Sequence, residues 1–384
     1  MQHTHITRAL LKGYRNIRNT EATFREGLNI IIGLNGCGKS NFLWLLANRK
    51  DDVVDDVKIK TEIDWVVINE RYETVNINEK IIHEYVENRN GIEAKINKKI
   101  FLNDDGLYEY EYSDIYFYRD KDTLAQLHNL YNFECNSLLF NFNIPEHIKY
   151  FTDGRDDIKG NFLPKKSYRL KIENPVLRSI ITKINYSEEI FKEKLQLKHL
   201  EFDENTIKQL KIYTPIQNIR LKFPRSEQDI IQTEDEIRIQ NVFYEFETTD
   251  GWYRWTDLSD GTRRIVWLVL NILTTYKNVI LIEEPELGIH PESLALFMEF
   301  VEEQSKNKQF IITTHSPEVL NIIDPSELDR INIARYDAAQ KTTVIEKIPA
   351  ERQLLIQNYM RETGLLSGYW VHVDLEGSKK WSSV

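Results

Sequence analysis

Apolar and polar positions keep two different rhythms along this chain, one at its ends and another in its middle. From Gly27 the sequence runs GLNIIIGLNGCGKSNFLWLLAN. Leu28, Ile30, Ile31 and Ile32 make a near-continuous apolar run, the pattern of a strand buried on both faces. A glycine-rich turn follows. Phe42, Leu45 and Leu46 then recur at i, i+3 and i+4, one face of a helix. The C-terminal part repeats the alternation. TRRIVWLVLNILTTY predicts a buried helix and VILIEE a strand. PESLALFMEFVEEQ predicts a helix with Leu294, Phe297, Met298 and Val301 on one face, and FIITTH another strand. RINIARYD, KTTVIEKI and ERQLLIQNYMRE predict a closing hairpin and helix. Strands that alternate with helices imply a parallel sheet covered on both faces.

The middle, 51–239, is rich in Lys, Glu, Asn and Tyr and poor in strong apolar runs. YEYEYSDIYFY, 108–118, alternates aromatic and polar residues, which predicts a half-buried antiparallel strand. Asn174 and Pro175 predict a helix start, with Val176, Leu177, Ile180, Ile181 and Ile184 behind them. No heptads, internal repeat or low-complexity linker is visible. The economical division is a head split between 1–50 and 240–384, with 51–239 as an insertion of mixed strands and helices.

Composition narrows the class. Apolar content of 41% and charged content of 29% fit a globular protein. The longest apolar runs fall well short of the roughly 20 residues of a membrane span, and the N-terminus lacks a signal-peptide pattern. Cys37 and Cys135 are the two cysteines, with no CxxC pair, so neither a disulfide framework nor a zinc site is expected. A cytoplasmic location is the natural expectation. The net charge of −10 argues against a chain coated in nucleic acid.

Four short stretches carry chemistry. GLNGCGKS, Gly33 to Ser40, matches G-x-x-x-x-G-K-[ST] in full. Its glycines let backbone N–H groups turn towards phosphate oxygens, Lys39 adds charge at the β and γ phosphates, and the Ser40 hydroxyl is a ligand for Mg²⁺. VILIEEPELGIHP ends a strand in Glu283 and Glu284. Paired carboxylates suit a metal-bound, water-activating role in phosphoryl transfer. Glu286, just beyond, is expected only to shape the turn after Pro285. TDLSDGTRR puts Ser259, Asp260 and Gly261 at a helix start, where a serine is most simply an N-cap. TTHSPEVL puts His315 at a strand tip, where it can donate a hydrogen bond to a γ-phosphate.

In this order the four stretches resemble the ATP-binding-cassette class of ATPases. The nearer likeness is to the SMC/RecF-like and overcoming-lysogenization-defect-like heads. GLNGCGKSN resembles their P-loop, LSDGTRR their signature motif, IEEPELGIHP their Walker B and D-loop, and TTHSPEVL their switch-histidine segment. YRNIRNTEATFREGLNIIIG resembles their first hairpin. The resemblance implies a P-loop α/β fold of the ABC type, a mixed sheet with helices on both faces plus an inserted α+β region. It implies ATP and Mg²⁺ as ligands. Gly33, Asn35, Gly36, Gly38, Lys39, Ser40 and Asn41 would bind nucleotide, with Ser40 and Glu283 at the metal. Glu284 would be the catalytic glutamate and His315 the switch residue. Ser259 and Gly261 would contact the γ-phosphate held by another subunit, so a homodimer or higher homo-oligomer is expected. Glu283 stands where many relatives have aspartate. The Q-loop is not identifiable beyond Gln126 as a candidate.

Length argues about role. The span from Ser40 to Ser259 has no heptads, which disfavours a long-armed chromosome tether. The segment after His315 is shorter than the roughly 100 residues a nuclease domain needs. Compact heads of this kind resemble ATPases of bacterial anti-phage defence in which a separate effector does the damage, so the resemblance implies a separate effector protein, plausibly a nuclease, and a defence role, with DNA or RNA as a further partner and no membrane. Two alternatives stand beside this: a nucleotide-dependent scaffold with slow hydrolysis, and a RecF-like DNA-repair ATPase, for which Lys98-Lys99 and Lys165-Lys166 are the basic hints.

Overall fold

The computed structural model describes residues 4–47, 59–68, 74–88, 91–102, 106–107, 115–118, 136–141, 181–186, 197–222, 230–232, 236–275 and 278–373. The chain divides into two compact units: Met1–Asp120 with Tyr276–Val384, and Lys121–Thr275.

The first unit is built on a 6-stranded sheet in the order Thr342–Lys347, Ile331–Asp337, Leu28–Ile32, Gln309–Thr314, Val279–Glu283, Ile115–Tyr118. The first pair is antiparallel and all the others are parallel. Leu28–Ile32, Val279–Glu283 and Gln309–Thr314 are buried at every residue. This is why they are spelled as near-continuous apolar runs and not as alternating ones, with Asn29, Gln309, Thr313 and Thr314 buried among them. A second 6-stranded sheet runs Thr20–Thr23, Thr4–Lys12, Ile59–Ile68, Thr74–Asn88, Gly91–Leu102, Gly106–Leu107, antiparallel throughout. Ile6 and Leu11 of this sheet share one core with Phe42, Leu43 and Leu45 of helix Lys39–Ala47, and with Ile31, Leu281 and Ile311 of the parallel sheet. The alternate residues Ile30, Ile280, Ile282, Phe310 and Ile312 are just as buried, so the opposite face is covered too. The fold is α/β, a mixed sheet with helices.

Gln309 links the two sheets. It is buried, and its Oε1 accepts from the Ile6 N–H at 2.8 Å. Its Nε2 donates to the Ile6 and Arg25 carbonyls at 2.7 and 2.8 Å. The register of Thr4–Lys12 shifts between Ile6 and Arg8, and Gln309 satisfies backbone groups at that irregularity.

In the second unit the long strand Glu236–Thr248 organises its neighbours. Asn218–Lys222 and Gly251–Arg254 pair with its C-terminal half, Asn136–Asn141 and Ile230–Gln232 with its N-terminal half, all antiparallel. Helix Glu204–Tyr213 packs against helix Asp260–Thr274, the buried helix expected from TRRIVWLVLNILTTY.

Two local expectations are corrected. Ile115–Tyr118 is a strand, but it pairs parallel to Val279–Glu283 and not antiparallel to a sequence neighbour. Ile181–Tyr186 is a strand paired with Leu197–Phe202, where helical spacing had been expected. Its β-branched Ile181, Thr182 and Ile184 favour the extended chain, and pairing with Leu197–Phe202 overrides the helical spacing of the apolar residues. Cys135, Gln126, Asn174 and Pro175 lie outside the described residues. Among those described, no helix is long and apolar enough to cross a membrane.

Candidate functional site

Parallel register brings three loops to one edge of the first unit's sheet. Glu283 is opposite Thr313, Thr313 is opposite Ile31, and Thr314 is opposite Ile32. The chain therefore leaves all three strands at the same level, at their carboxyl ends, where open α/β sheets bind ligands. Gly33, Glu284 and His315 are the first or second residues out.

The loop Gly33–Ser40 is wedged against the closing hairpin. A Cβ at Gly33 would lie 2.1 Å from the Ala334 carbonyl oxygen. Gly38 has φ +106°, and a Cβ there would lie 2.1 Å from Thr343 Oγ1 and 2.4 Å from Asn16 Nδ2. These contacts hold the loop in place. Thr343 Oγ1 donates to the Cys37 carbonyl at 2.7 Å, and Asn41 Nδ2 donates to Asn16 Oδ1 at 2.7 Å. Arg15 donates to Asn41 Oδ1 at 3.1 Å. Gly38→Ala combines a forbidden φ with two overlaps, so it is expected to cost about 3 kcal/mol and to lower the melting temperature measurably. An unchanged melting curve would show that the loop is not held as described.

Lys39 is only 4% exposed. Its ammonium donates to the Gly33 and Leu34 carbonyls at 2.8 and 3.1 Å, so it lies across the loop it belongs to. The Phe42 N–H bonds to the Gly38 carbonyl, so the helix starts at the loop and its first N–H groups have no intrahelical acceptor. A cationic side chain and a helix N-terminus on one loop make an anion site. Leu34, Asn35 and Gly36 are exposed at its rim.

The acidic strand end lies two strands away in the sheet. Glu283 is the last strand residue and is 8% exposed. Glu284 has φ 44°, in the left-handed region, and its N–H bonds to the Thr313 carbonyl at 2.8 Å. A glutamate in this conformation costs on the order of 1–2 kcal/mol, a strain typical of functional positions. Glu284 Oε1 is 3.4 Å from His315 Nδ1.

Glu286 is the residue that local sequence reasoning missed. Its Oε1 accepts from Thr314 Oγ1 at 2.6 Å, from the His315 N–H at 3.0 Å and from the Ser316 N–H at 3.2 Å. It also lies 3.2 Å from His315 Nδ1. Nothing in EEPE itself announces this. The contact exists because Gln309–Thr314 is the sheet neighbour of Val279–Glu283.

Lys39, Ser40, Glu283, Glu284 and His315 thus belong to one unit and one sheet edge. Ser259 and Gly261 belong to the other unit. There Ser259 is an N-cap: its Oγ accepts from the Thr262 N–H at 3.2 Å and lies 2.9 Å from Thr262 Oγ1. Asp260 and Arg263 form an ion pair one turn along. Among the described residues no three His, Cys, Asp or Glu side chains group as a metal cage.

Comparison with known proteins bears on this arrangement. Residues 28–321 match the family model described as "AAA domain, putative AbiEii toxin, Type IV TA system". The chain is 24% identical over 371 residues to the endonuclease GajA of Bacillus cereus (strain VD045), an alignment over 86% of this chain and 58% of that protein. The chain thus spans little more than half the length of that relative. Among solved structures it is similar to the SMC head domain from Thermotoga maritima, with a TM-score of 0.47, 13% identity, and coverage of 90% of this chain and 100% of that one. It is also similar to the SmcHead bound to the C-winged helix domain of ScpA, with a TM-score of 0.48, 12% identity, and coverage of 91% and 99%.

Proposed function

The chain belongs to the AAA-domain family described as putative AbiEii toxin of type IV TA systems, and from that premise we propose that it hydrolyses ATP with Mg²⁺ at this sheet edge. The observation that carries the reading is the common level at which the Lys39 loop, the Glu283–Glu284 pair and His315 leave three strands of one sheet. In this reading the N–H groups of the Gly33–Asn41 loop, Asn35, Gly36 and Gly38 among them, surround the phosphates, and Lys39 neutralises β and γ oxygens. Ser40 and Glu283 are the oxygen donors that fit Mg²⁺, which takes one or two carboxylates plus substrate phosphates and not an all-protein cage. When bound, the ion supplies charge stabilisation at the leaving phosphate. Glu284 orients a water and takes its proton as the water oxygen bonds to the γ-phosphorus and the bond to the ADP oxygen breaks. His315 donates to the γ-phosphate. Ser259 and Gly261 act on the nucleotide of a second copy, which makes the working form a homodimer or larger homo-oligomer.

We further propose a sensor or regulator that couples ATP turnover to nucleic acid and to a separate effector, such as a nuclease, in anti-phage defence. The toxin description of the family and the endonuclease name of the relative support that direction. A cytoplasmic location accompanies this reading. A second reading, a slow assembly scaffold, is favoured by Glu283, one methylene longer than the aspartate expected there. A third, DNA repair in the RecF manner, rests on lysine pairs such as Lys98-Lys99.

Light scattering of the full chain, with turnover measured with and without duplex DNA, separates these readings. The account predicts a doubling of mass with Mg-ATP and turnover that rises several-fold with DNA. A chain that assembles with ATP yet turns over at the same slow rate with DNA is the scaffold. A chain that stays monomeric with ATP contradicts the composite site.

A further inference from the structure

We propose that Glu286 is a positioning residue for His315: it holds the imidazole away from Glu284, in the orientation from which the ring acts on the γ-phosphate. The proposal rests on the ATPase reading above, and on the hydrogen bonding at this strand tip.

The Glu286 side chain points away from its own turn. The backbone alone makes that turn, with Leu287 N–H bonded to the Glu284 carbonyl and Ile289 N–H bonded to the Glu286 carbonyl. The carboxylate instead crosses to the tip of the next strand and is 8% exposed there. Burying a carboxylate is costly unless donors surround it. Here one oxygen collects three: Thr314 Oγ1, His315 N–H and Ser316 N–H. Thr314 Oγ1 also accepts from the Ser316 N–H at 2.9 Å, which closes the strand tip into one hydrogen-bonded unit.

The imidazole sits between two acceptors. His315 Nδ1 is 3.2 Å from Glu286 Oε1 and 3.4 Å from Glu284 Oε1, and neither approach is aligned as a full hydrogen bond. Two carboxylates on one side of the ring favour an N–H at Nδ1, and donation from Nε2 to the γ-phosphate then requires the doubly protonated ring, in which both nitrogens are donors. A small rotation of the ring decides which carboxylate receives that N–H. Glu286 is the better placed of the two, because its oxygen is already fixed by the backbone on either side of the ring. Without the Glu286 charge, the ring turns its Nδ1–H towards Glu284 and loses that orientation. Glu286 touches no phosphate in this scheme and acts through His315 alone.

Glu286→Gln tests this without removing the fold. The amide oxygen still accepts from Thr314, His315 and Ser316, but the attraction for Nδ1 weakens. The full chain is compared as wild type, Glu286→Gln, His315→Ala and the double variant, with kcat and KM for ATP measured separately. The ¹⁵N signal of His315 is recorded in histidine-labelled wild type, Glu286→Gln and Glu284→Gln. We expect Glu286→Gln to lower kcat about tenfold with KM within a factor of about two, and to change kcat by less than about twofold once His315 is alanine. The His315 signal is expected to move in both glutamine variants. An equal loss of kcat in the His315→Ala background overturns the proposal, as does a His315 signal that ignores Glu286. If the wild type turns over no ATP, the ¹⁵N signal still decides whether Glu286 sets the imidazole, and the failure falls on the ATPase reading instead.

Discussion

Glu284→Gln is expected to bind Mg-ATP as tightly as the wild type and to lose about a hundredfold to ten-thousandfold in turnover. The range is that of a general base removed from a proton transfer. The amide is isosteric, so the contacts that set the loop persist. The Glu284 N–H still bonds to the Thr313 carbonyl, and the left-handed φ of 44° is imposed by the turn and not by the carboxylate. What is lost is the acceptor for the water proton. In the proposed composite site, a bound nucleotide that cannot turn over would also hold the assembly closed. Glu284→Gln with ATP should therefore elute as the assembled form for much longer than the wild type. A glutamine variant that hydrolyses at the wild-type rate removes Glu284 from the chemistry.

Lys39→Ala should fail one step earlier. The ammonium is nearly buried and is held by two carbonyl oxygens of its own loop, so it is already oriented across the anion site. A charge-assisted contact of this kind contributes about 2 kcal/mol, or roughly thirtyfold in affinity. Turnover should fall with it, because in the proposed reaction Lys39 neutralises the oxygens that gain charge as the phosphoryl group leaves. The substitution also strips a donor from two carbonyls: that of Leu34 lies at the exposed rim, where water replaces it at small cost, and that of buried Gly33 is left without it. Fluorescent-nucleotide titration distinguishes the two variants. Lys39→Ala should show weak binding, and Glu284→Gln tight binding without release.

Much of this site is legible in the sequence, for a physical reason. Parallel strands buried on both faces are written as near-continuous apolar runs, and LNIII, VILIE and QFIITT each end beside a chemically distinctive residue. The glycines of the P-loop are equally legible, although the reason for two of them is visible only in three dimensions. Gly33 and Gly38 are needed because the closing hairpin presses on them at Ala334 and Thr343.

What the sequence hides is non-local. Ile115–Tyr118 looks like the continuation of an alternating strand, yet its partner is Val279–Glu283, far along the chain. The pairing of Ile59–Ile68 with Thr4–Lys12 has no local signature either, because these long strands mix charged and apolar residues too freely for a period to show. Ile181–Tyr186 shows the opposite failure, a chance helical spacing overridden by β-branched side chains and a partner strand. Glu286 is the instructive case. In EEPELG it is a polar residue after a proline, and only the adjacency of the two strands makes it the acceptor for the tip that carries His315.

Phosphate release from Mg-ATP, measured side by side on wild type, Lys39→Ala and Glu284→Gln, tests the central claim most directly. The account predicts steady turnover in the wild type, little in Lys39→Ala because nucleotide is not held, and little in Glu284→Gln although nucleotide is held. Equal release by all three proteins would contradict it.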